Sequence, residues 1–273
     1  MANVQSIRSK LDVLEALCEE LKIDVVFLTE TWTTEQDKDG DLAISGFSVI
    51  SRMDKDTLSG IGGGNLVLAR DGIRIIGCPN QTLGAGACVQ ATTAEITDKG
   101  GNIRVKLKNV YRSPAKKTEE LSIRAVEEIC KNAGANTIIM GDVNFPEIDF
   151  KTLTSRSYPG TNLSRCSTLL EAMSEGRFEQ YVDFPTRIPI LDRVESGEFL
   201  HLPVHDVICC NSAEMIQNVE AAGSVGKSDH VVVVFELNIN AKINSKRLVN
   251  DYTKANWTKI EEEMSEWVKP FMT

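Results

Sequence analysis

The chain lacks the features that mark a membrane protein, a secreted protein or a zinc-binding domain. No apolar run reaches the ~18 residues that a membrane-spanning helix needs, and the first six residues do not pair a basic segment with an apolar one, as a signal peptide does. The seven cysteines are odd in number and include no Cys-x-x-Cys pair. We therefore expect reduced thiols, a nuclear or cytoplasmic location, no membrane partner and no structural zinc.

The sequence also has no excess of basic charge. The formal net charge is −9, whereas domains that bind nucleic acid through bulk electrostatics are usually basic. If the protein acts on DNA, we expect it to bind weakly, through local basic patches and a bound cation. The length of 273 residues suits one large domain or two small ones, and the hydrophobic content of 42% is ordinary for a globular core.

A glycine-rich run, Ser-Gly-Ile-Gly-Gly-Gly at residues 59–64, lacks the Lys-Ser or Lys-Thr that completes a phosphate-binding loop. A β-rich segment follows it, where a nucleotide-binding loop is followed by a helix. We therefore exclude a nucleotide-binding loop and predict a flexible or tightly packed turn.

Hydrophobic periodicity predicts an α/β protein. We predict helices at 8–21, 118–132, 164–176 and 252–268, and strands at 23–28, 46–50, 65–69, 73–76, 88–96, 103–111, 137–140, 205–211 and 231–235. Several of these strands have no helix between them, which excludes a repeating βαβ barrel. The pattern favours two packed mixed sheets with helices outside. We predict one domain over 1–238, followed by a linker and a helical tail over 239–273.

The most informative stretch is Gly-Asp-Val-Asn-Phe-Pro at residues 141–146, which follows a buried strand. On an extended backbone, Asp142 and Asn144 point to the same side. A carboxylate and a carboxamide side by side can accept a proton or a metal and hold a reacting group. The alternative, that both residues only cap a turn, is equally consistent with turn statistics.

Other polar residues stand at the ends of predicted strands. Glu30 follows the strand at 23–28, where ligand chemistry is usual in α/β proteins, although it could also be a solvated loop residue. Tyr111 ends another strand, Asp206 begins one, and Asp229 and His230 precede the valine-rich run at 231–234.

These segments together resemble the endonuclease/exonuclease/phosphatase superfamily. The motifs, in order, are Asn-Val-Gln-Ser-Ile, Leu-Thr-Glu-Thr-Trp, Val-Tyr-Arg-Ser-Pro, Gly-Asp-Val-Asn-Phe-Pro, His-Asp-Val-Ile-Cys-Cys-Asn and Ser-Asp-His. Each is weak alone, but six in register are specific. Phe-Pro-Thr-Arg at 184–187 and the segment 247–257 are similar to the endonuclease domains of non-LTR retrotransposon polyproteins. In those polyproteins the tail leads to a reverse transcriptase, which is absent from this chain.

The resemblance implies a four-layer sandwich of the deoxyribonuclease/apurinic-endonuclease type and a Mg²⁺-dependent endonuclease that nicks DNA, with Mn²⁺ as an alternative metal. It implies metal ligation by Asn3, Glu30 and Asp229, catalysis by Tyr111, Asp142, Asn144, Asp206 and His230, and substrate contacts by Arg112, Asn144, Ser228 and His230. His205 is expected to be a local hydrogen-bonder outside the site. Candidate cations near the cleft are Arg112, Lys116, Lys117 and Arg187, each of which is also consistent with solvated surface charge.

Two departures from the family pattern bear on activity. The chain begins two residues before Asn3, so the strand that precedes this asparagine in the family is expected to be missing. Gln5 stands where apurinic endonucleases usually have an acid. Two alternatives to the endonuclease remain open: a phosphatase of the same superfamily, disfavoured because His205-Asp206-Val207 replaces a Trp-Cys-Asp-Arg-like segment, and an inactive retroelement remnant.

Overall fold

The computed structural model describes residues 1–55, 62–82, 89–114, 119–150, 152, 154–155, 163–187, 204–239, 256 and 258–259. The helices are α1 (Leu11–Glu20), α2 (Asp39–Leu42), α3 (Glu119–Lys131) and α4 (Leu163–Glu175). The strands are β1 (Ala2–Asn3), β2 (Val25–Thr29), β3 (Phe47–Met53), β4 (Asn65–Arg70), β5 (Ile75–Thr82), β6 (Val89–Thr97), β7 (Ile103–Arg112), β8 (Thr137–Asp142), β9 (Ile148–Asp149), β10 (Thr154–Ser155), β11 (Glu179–Gln180), β12 (Asp206–Cys210), β13 (Ile216–Ala222) and β14 (Val232–Leu237). None of the helices in these ranges is long and apolar enough to cross a membrane.

The first sheet contains β1, β2, β4 and β3, in that order. Its β1 runs parallel to β2, with Asn3 opposite Thr29, so residues 2–3 form the strand that we expected to be missing. On the outer side of β1, Met1 exchanges two backbone hydrogen bonds of 2.8 and 2.9 Å with Val233 of β14. These bonds join the β13–β14 hairpin to the first sheet.

The second sheet has the order β11-β12-β8-β7-β6-β5. Within it β7 and β8 are parallel, whereas the other neighbours are antiparallel. The sheet is therefore mixed, as predicted. Its β12 begins at Asp206, directly opposite Asp142 at the end of β8, which brings two carboxylates to one edge.

Three apolar layers hold the sheets and helices together. One packs the inner face of α1 (Leu14 and Cys18) against the first sheet. The second lies between the two sheets, and the third packs α3 and α4 against the outer face of the second sheet. The order helix, sheet, sheet, helix confirms the predicted four-layer α/β sandwich.

Two buried amides tie the sheets to each other across the apolar interior. Asn65 of β4 donates its Nδ2 to the carbonyls of Gln90 (3.1 Å) and Asn109 (3.0 Å), both in the second sheet. Asn109 donates in return to the carbonyl of Leu28 in the first sheet, at 2.9 Å. Buried amide N–H groups are usually hydrogen-bonded, so these bonds favour one relative placement of the sheets.

The main differences from the predictions concern short or polar elements. The helix α2 lies at 39–42, where no element was predicted. The strand β13 was not predicted either, because its polar sequence Ile-Gln-Asn-Val-Glu-Ala-Ala is half exposed. The described glycines of the turn, 62–64, are tightly packed: a Cβ on Gly64 would lie 2.5 Å from the hydroxyl of Thr31. The predicted linker and tail helix fall almost entirely outside the described residues.

Candidate active site

The candidate site lies where strand ends from both sheets meet. Asn3 ends β1 of the first sheet, Asp142 ends β8 of the second, and Asn3 Nδ2 donates a 2.8 Å hydrogen bond to Asp142 Oδ2. Both side chains are buried, each with 1% exposure. This one bond spans 139 positions of sequence, so the site depends on the docking of the two sheets.

A close approach of two backbones places Asp142. Gly141 has a φ of +129°, and a Cβ there would lie 2.0 Å from the carbonyl oxygen of Val110. Only glycine fits this position, because any side chain would push β8 away from β7. The chain leaves the strand after Asp142, and Asn144 has a φ of +48°. The expected extended backbone from Asp142 to Asn144 is therefore wrong.

The second element of the site is a buried histidine–aspartate pair. His230 Nδ1 lies 2.7 Å from Asp206 Oδ2, with the two side chains 4% and 1% exposed. The two side chains are therefore in direct contact inside the protein. His230 Nε2 lies 3.9 Å from Asp142 Oδ2, so the histidine stands between the two carboxylates.

Thr186 supports this pair, and the sequence analysis did not assign it a role. Its Oγ1 accepts hydrogen bonds from the backbone N–H groups of His205 and Asp206, each at 3.0 Å, and its carbonyl accepts one from Val231 at 2.9 Å. The residue therefore fixes both chain segments that carry the pair. The signal was present in the Phe-Pro-Thr-Arg motif, where we used the threonine only as a mark of resemblance.

The electrostatics distinguish the two buried histidines. Burial lowers the pKa of His230, but the hydrogen bond and charge of Asp206, together with Asp142 and Asp229, raise the pKa overall to about 9. Burial dominates at His205 and lowers its pKa to about 4. His230 is therefore an imidazolium at neutral pH, whereas His205 is neutral.

Asp142 is a buried acid that lies near other carboxylates. Burial first, and then the charge of Asp206, raise the pKa of Asp142 to about 8, although His230 and the amide of Asn3 oppose the rise. A carboxyl group with such a pKa is suited to accept a proton near neutral pH.

Glu30, which follows β2 of the first sheet, and Tyr111, in β7 of the second sheet, complete the cluster. Burial, followed by the charge of Glu30 and a hydrogen bond to it, raises the pKa of Tyr111 well above its usual value, so the hydroxyl remains a donor. The charge of Glu30 also acts on Asp142. Glu30 and Asn3 follow paired strands and supply hard oxygen ligands, which suit a divalent cation such as Mg²⁺. The excess of carboxylates over cations fits such an ion as well.

A second arrangement of possible metal ligands occurs in the same place. Ligand-type atoms of Asp142, Asp206 and His230 lie within 4.8 Å of one another. However, the 2.7 Å contact between His230 Nδ1 and Asp206 and the raised pKa of His230 favour an imidazolium, which has no lone pair for a metal. We therefore favour Glu30 and Asn3 as the metal-binding pair.

Three residues expected to contact substrate have other partners. Arg112 is only 5% exposed. It donates to Ser122 Oγ and to the carbonyls of residues 143 and 144, and its guanidinium lies 4.1 Å from the ring centroid of Phe145. These donors bind Ser122 and the loop after Asp142, and the expected contact with substrate stays a prediction. Lys116, Lys117 and His201 lie outside the described residues.

Ser228 and Asn144 are also buried, and their described bonds are internal. Ser228 Oγ donates to the carbonyl of Asn3 at 2.7 Å and accepts from the N–H of His230 at 3.2 Å. Asn144 Nδ2 donates to the carbonyl of Arg112 at 2.8 Å. These bonds fix the segments that carry the site.

Asp229, expected as a metal ligand, has both carboxylate oxygens bonded to other side chains. Oδ1 accepts from Gln5 Nε2 and Oδ2 accepts from Arg187 Nε, each at 2.7 Å. Although burial opposes the change, the hydrogen bond from Arg187 and its charge lower the pKa of Asp229 below its usual value.

Comparison with known proteins identifies the family of the chain. A sequence model of the Endonuclease/Exonuclease/phosphatase family matches residues 2–233. The chain belongs to this family. The match includes Asn3, Glu30, Asp142, Asp206 and His230, and membership supports a hydrolytic phosphodiesterase as the class of enzyme. A search of curated protein sequences gave no match.

Solved structures with the same fold include several nucleases. The endonuclease domain of TRAS1, a telomere-specific non-LTR retrotransposon, is 16% identical, with a TM-score of 0.58, over 88% of this chain and 97% of that domain. An AP endonuclease from Archaeoglobus fulgidus is 16% identical (TM-score 0.56, 87% and 97% covered). A 3′-5′ exonuclease from Neisseria meningitidis is 16% identical (TM-score 0.60, 87% and 98% covered). At these identities the likeness establishes the family fold.

Proposed function

We propose that the protein is a Mg²⁺-dependent endonuclease that hydrolyses one strand of duplex DNA, in the manner of retrotransposon enzymes that nick a target to prime reverse transcription. The observation that carries the proposal is the buried ring of His230, whose Nδ1 lies 2.7 Å from Asp206 and whose Nε2 lies 3.9 Å from Asp142. A donor that is positively charged, beside a carboxyl group that accepts protons near neutral pH, is a combination suited to phosphodiester hydrolysis.

In this proposal Asp142 takes a proton from the attacking water, whose oxygen forms the new bond to phosphorus. The bond from phosphorus to the 3′ oxygen breaks, which leaves a 5′ phosphate and, after protonation, a 3′ hydroxyl. His230 donates a hydrogen bond to a phosphate oxygen, and Asp206 keeps the imidazole charged and oriented. Tyr111 contributes a further donor beside the phosphate. Asn3 and Asn144 help to orient Asp142, through bonds to Oδ2 (2.8 Å) and Oδ1 (3.2 Å).

A divalent cation held by Glu30 and Asn3 would supply charge neutralisation and polarise the phosphate. Mn²⁺ could substitute for Mg²⁺, since both accept oxygen ligands.

We also propose that the catalytic domain spans residues 1–238, since the family match ends at residue 233 and β14 ends at Leu237. DNA as the substrate is supported by a related Neisseria 3′ phosphatase, whose structure contains a product DNA hairpin.

The test is conversion of supercoiled plasmid to the open-circular form at low salt with Mg²⁺ or Mn²⁺, and with EDTA as the metal-free control. We expect Asp142→Asn to reduce the rate by ~10²–10⁴-fold and Asp183→Asn, an exposed aspartate elsewhere, to have no effect. A folded wild-type protein that gives no nick with either metal would refute the active endonuclease and favour the inactive remnant.

Two parallel substrates separate the alternatives within the family. Hydrolysis of an inositol polyphosphate without plasmid nicking would favour the phosphatase. Selective cleavage of an oligonucleotide with one abasic site, with intact plasmid left uncut, would favour a repair-type activity like that of the AP endonucleases with the same fold.

A further inference from the structure

Asp229 has an unexpected set of partners for a metal ligand. One oxygen accepts from the amide of Gln5 and the other from Arg187 Nε, both at 2.7 Å. Two different side-chain donors therefore occupy the two oxygens. Each oxygen keeps a second lone pair, but a dication bound there would stand beside the guanidinium of Arg187, which like charge opposes.

Gln5 is part of the site's framework. Its backbone N–H donates to Asn3 Oδ1 at 3.2 Å, while its side chain reaches Asp229, 224 positions along the chain. An acidic side chain at position 5 would repel Asp229, whereas the amide donates to it. Gln5 therefore holds Asp229, and Asp229 in turn holds Arg187.

The backbone places Arg187 on the same face as the catalytic histidine. Arg187 and His230 form an antiparallel β-bridge, and directly opposed residues of such a pair project to the same side. The charge of Arg187 also acts on the ring of His205, which lies 6.2 Å from the ring of His230. The guanidinium therefore stands at the rim of the cleft.

Arg187 retains the capacity to bind a ligand. Its side chain is 48% exposed, while that of Asp229 is 26% exposed. Within the described part of the chain, its hydrogen bond to Asp229 uses Nε, which leaves the Nη groups for an outside acceptor. A half-exposed ion pair contributes little to stability, so its main consequence is the placement of the guanidinium. Guanidinium groups bind phosphate oxygens in a two-pronged geometry.

We propose that Asp229 is a positioning residue and not a metal ligand: together with Gln5 it holds Arg187 beside His230, where Arg187 binds a backbone phosphate of the DNA. This inference rests on the proposed function for its substrate. The metal is then held without Asp229, and an acidic protein of net charge −9 gains a fixed cation at the cleft.

The first arm of the test measures metal binding without catalysis. Free Mn²⁺ is followed by electron paramagnetic resonance as it is titrated into the wild-type protein, Glu30→Gln and Asp229→Asn. We expect Glu30→Gln to weaken binding at least tenfold and Asp229→Asn by less than twofold. A loss in Asp229→Asn as large as that in Glu30→Gln would overturn the inference. Unchanged binding in Glu30→Gln would instead refute the metal site of the proposed function.

The second arm measures DNA binding in EDTA, by fluorescence anisotropy of a labelled duplex at several salt concentrations. Arg187→Gln should reduce the slope of log affinity against log salt by about one, and Arg187→Lys should restore the slope. Arg124→Gln is the matched control, because Arg124 also pairs with an acid, Glu120, at 2.7 Å on the exposed face of α3. An equal slope in wild type, Arg187→Gln and Arg124→Gln would refute the phosphate contact.

The third arm separates positioning from folding and from the proposed function itself. Asp229→Asn should lower the kcat of nicking while its Mn²⁺ affinity and its midpoint of thermal unfolding stay within the error of the wild type. Unchanged kcat in this variant would refute the positioning role. If the wild type nicks plasmid and the Arg187 variants bind and cleave as it does, this inference fails and the proposed function stands. Absence of wild-type nicking is the outcome that defeats the proposed function.

Discussion

Replacement of Asp206 by asparagine should leave the ring of His230 uncharged at neutral pH. The carboxylate lies 2.7 Å from His230 Nδ1 and is 1% exposed, so little solvent screens the pair. Raising the pKa of His230 from 6.5 to about 9 corresponds to about 3 kcal/mol of preferential stabilisation of the imidazolium, since one pH unit is worth ~1.4 kcal/mol. In Asp206→Asn the burial of the ring remains, and we expect its pKa to fall below 6.5.

The assay is the pH titration of the histidine ring resonances by NMR in EDTA. The chain has three histidines, and His230→Gln and His205→Gln assign the two buried ones. We expect the wild type to show His230 titrating at about 9 and His205 at about 4. The high titration should disappear in Asp206→Asn and persist in Asp183→Asn. A wild-type His230 that titrates near 6.5, or an unchanged pKa in Asp206→Asn, would refute the reasoning.

The pair of His230 and Asp206 also makes the free energy of unfolding depend on pH. Because the folded-state pKa of His230 lies above its unfolded value, the pair's contribution is fully present below pH 6.5 and is lost as the pH rises through about 9. Urea unfolding should therefore show the largest difference between the wild type and Asp206→Asn at pH 6, about 3 kcal/mol, with a smaller difference at pH 10. A difference that grows with pH would contradict this assignment of the ion pair.

Three further predictions concern the site and its support. Gly141→Ala should lower the free energy of unfolding by ~3 kcal/mol, because its Cβ would lie 2.0 Å from the carbonyl of Val110, whereas Gly134→Ala, with no atom within 4 Å, should change it by less than ~0.5 kcal/mol; equal urea midpoints would contradict the close approach. His230→Ala should abolish plasmid nicking while His205→Ala retains it, and equal losses would contradict the separate roles of the two rings. Nicking should fall steeply with salt, because an acidic domain relies on a few phosphate contacts, and a rate that is flat between low and physiological salt would count against such contacts.

The sequence was informative wherever a residue's environment follows from its own strand. A continuous apolar run with polar residues at its end predicted β8 and the position of Asp142. The motif beginning at His205 predicted a strand at 205–211, and the structure has β12 at Asp206–Cys210. The four-layer arrangement followed from the order of these strands and from the family resemblance. Such predictions succeed because burial on both faces leaves few alternatives for a short apolar segment.

The sequence was misleading where distant partners decide the outcome. Arginine is rarely buried, so Arg112 was expected to be at the surface. Its actual partners are a serine 10 positions away and carbonyls 31 and 32 positions away, and no local pattern encodes them. Asp229 and Gln5, which are hydrogen-bonded, lie 224 positions apart in the sequence. The β13 strand was missed because its exposed residues, 217–218 and 220–221, do not alternate with buried ones and its composition is polar.

The buried amides Asn65 and Asn109 have a consequence for the order in which the protein folds. They fix the relative position of two sheets whose edges carry different halves of the site, and the contacts that join these halves are between residues far apart in sequence. Such contacts form late in folding, because closing a long loop costs conformational entropy before the contact contributes any stability. His230 is also among the last residues of the family match to leave the ribosome. Nicking activity should therefore appear only after the two sheets have docked. The time at which it appears then measures the final step of folding.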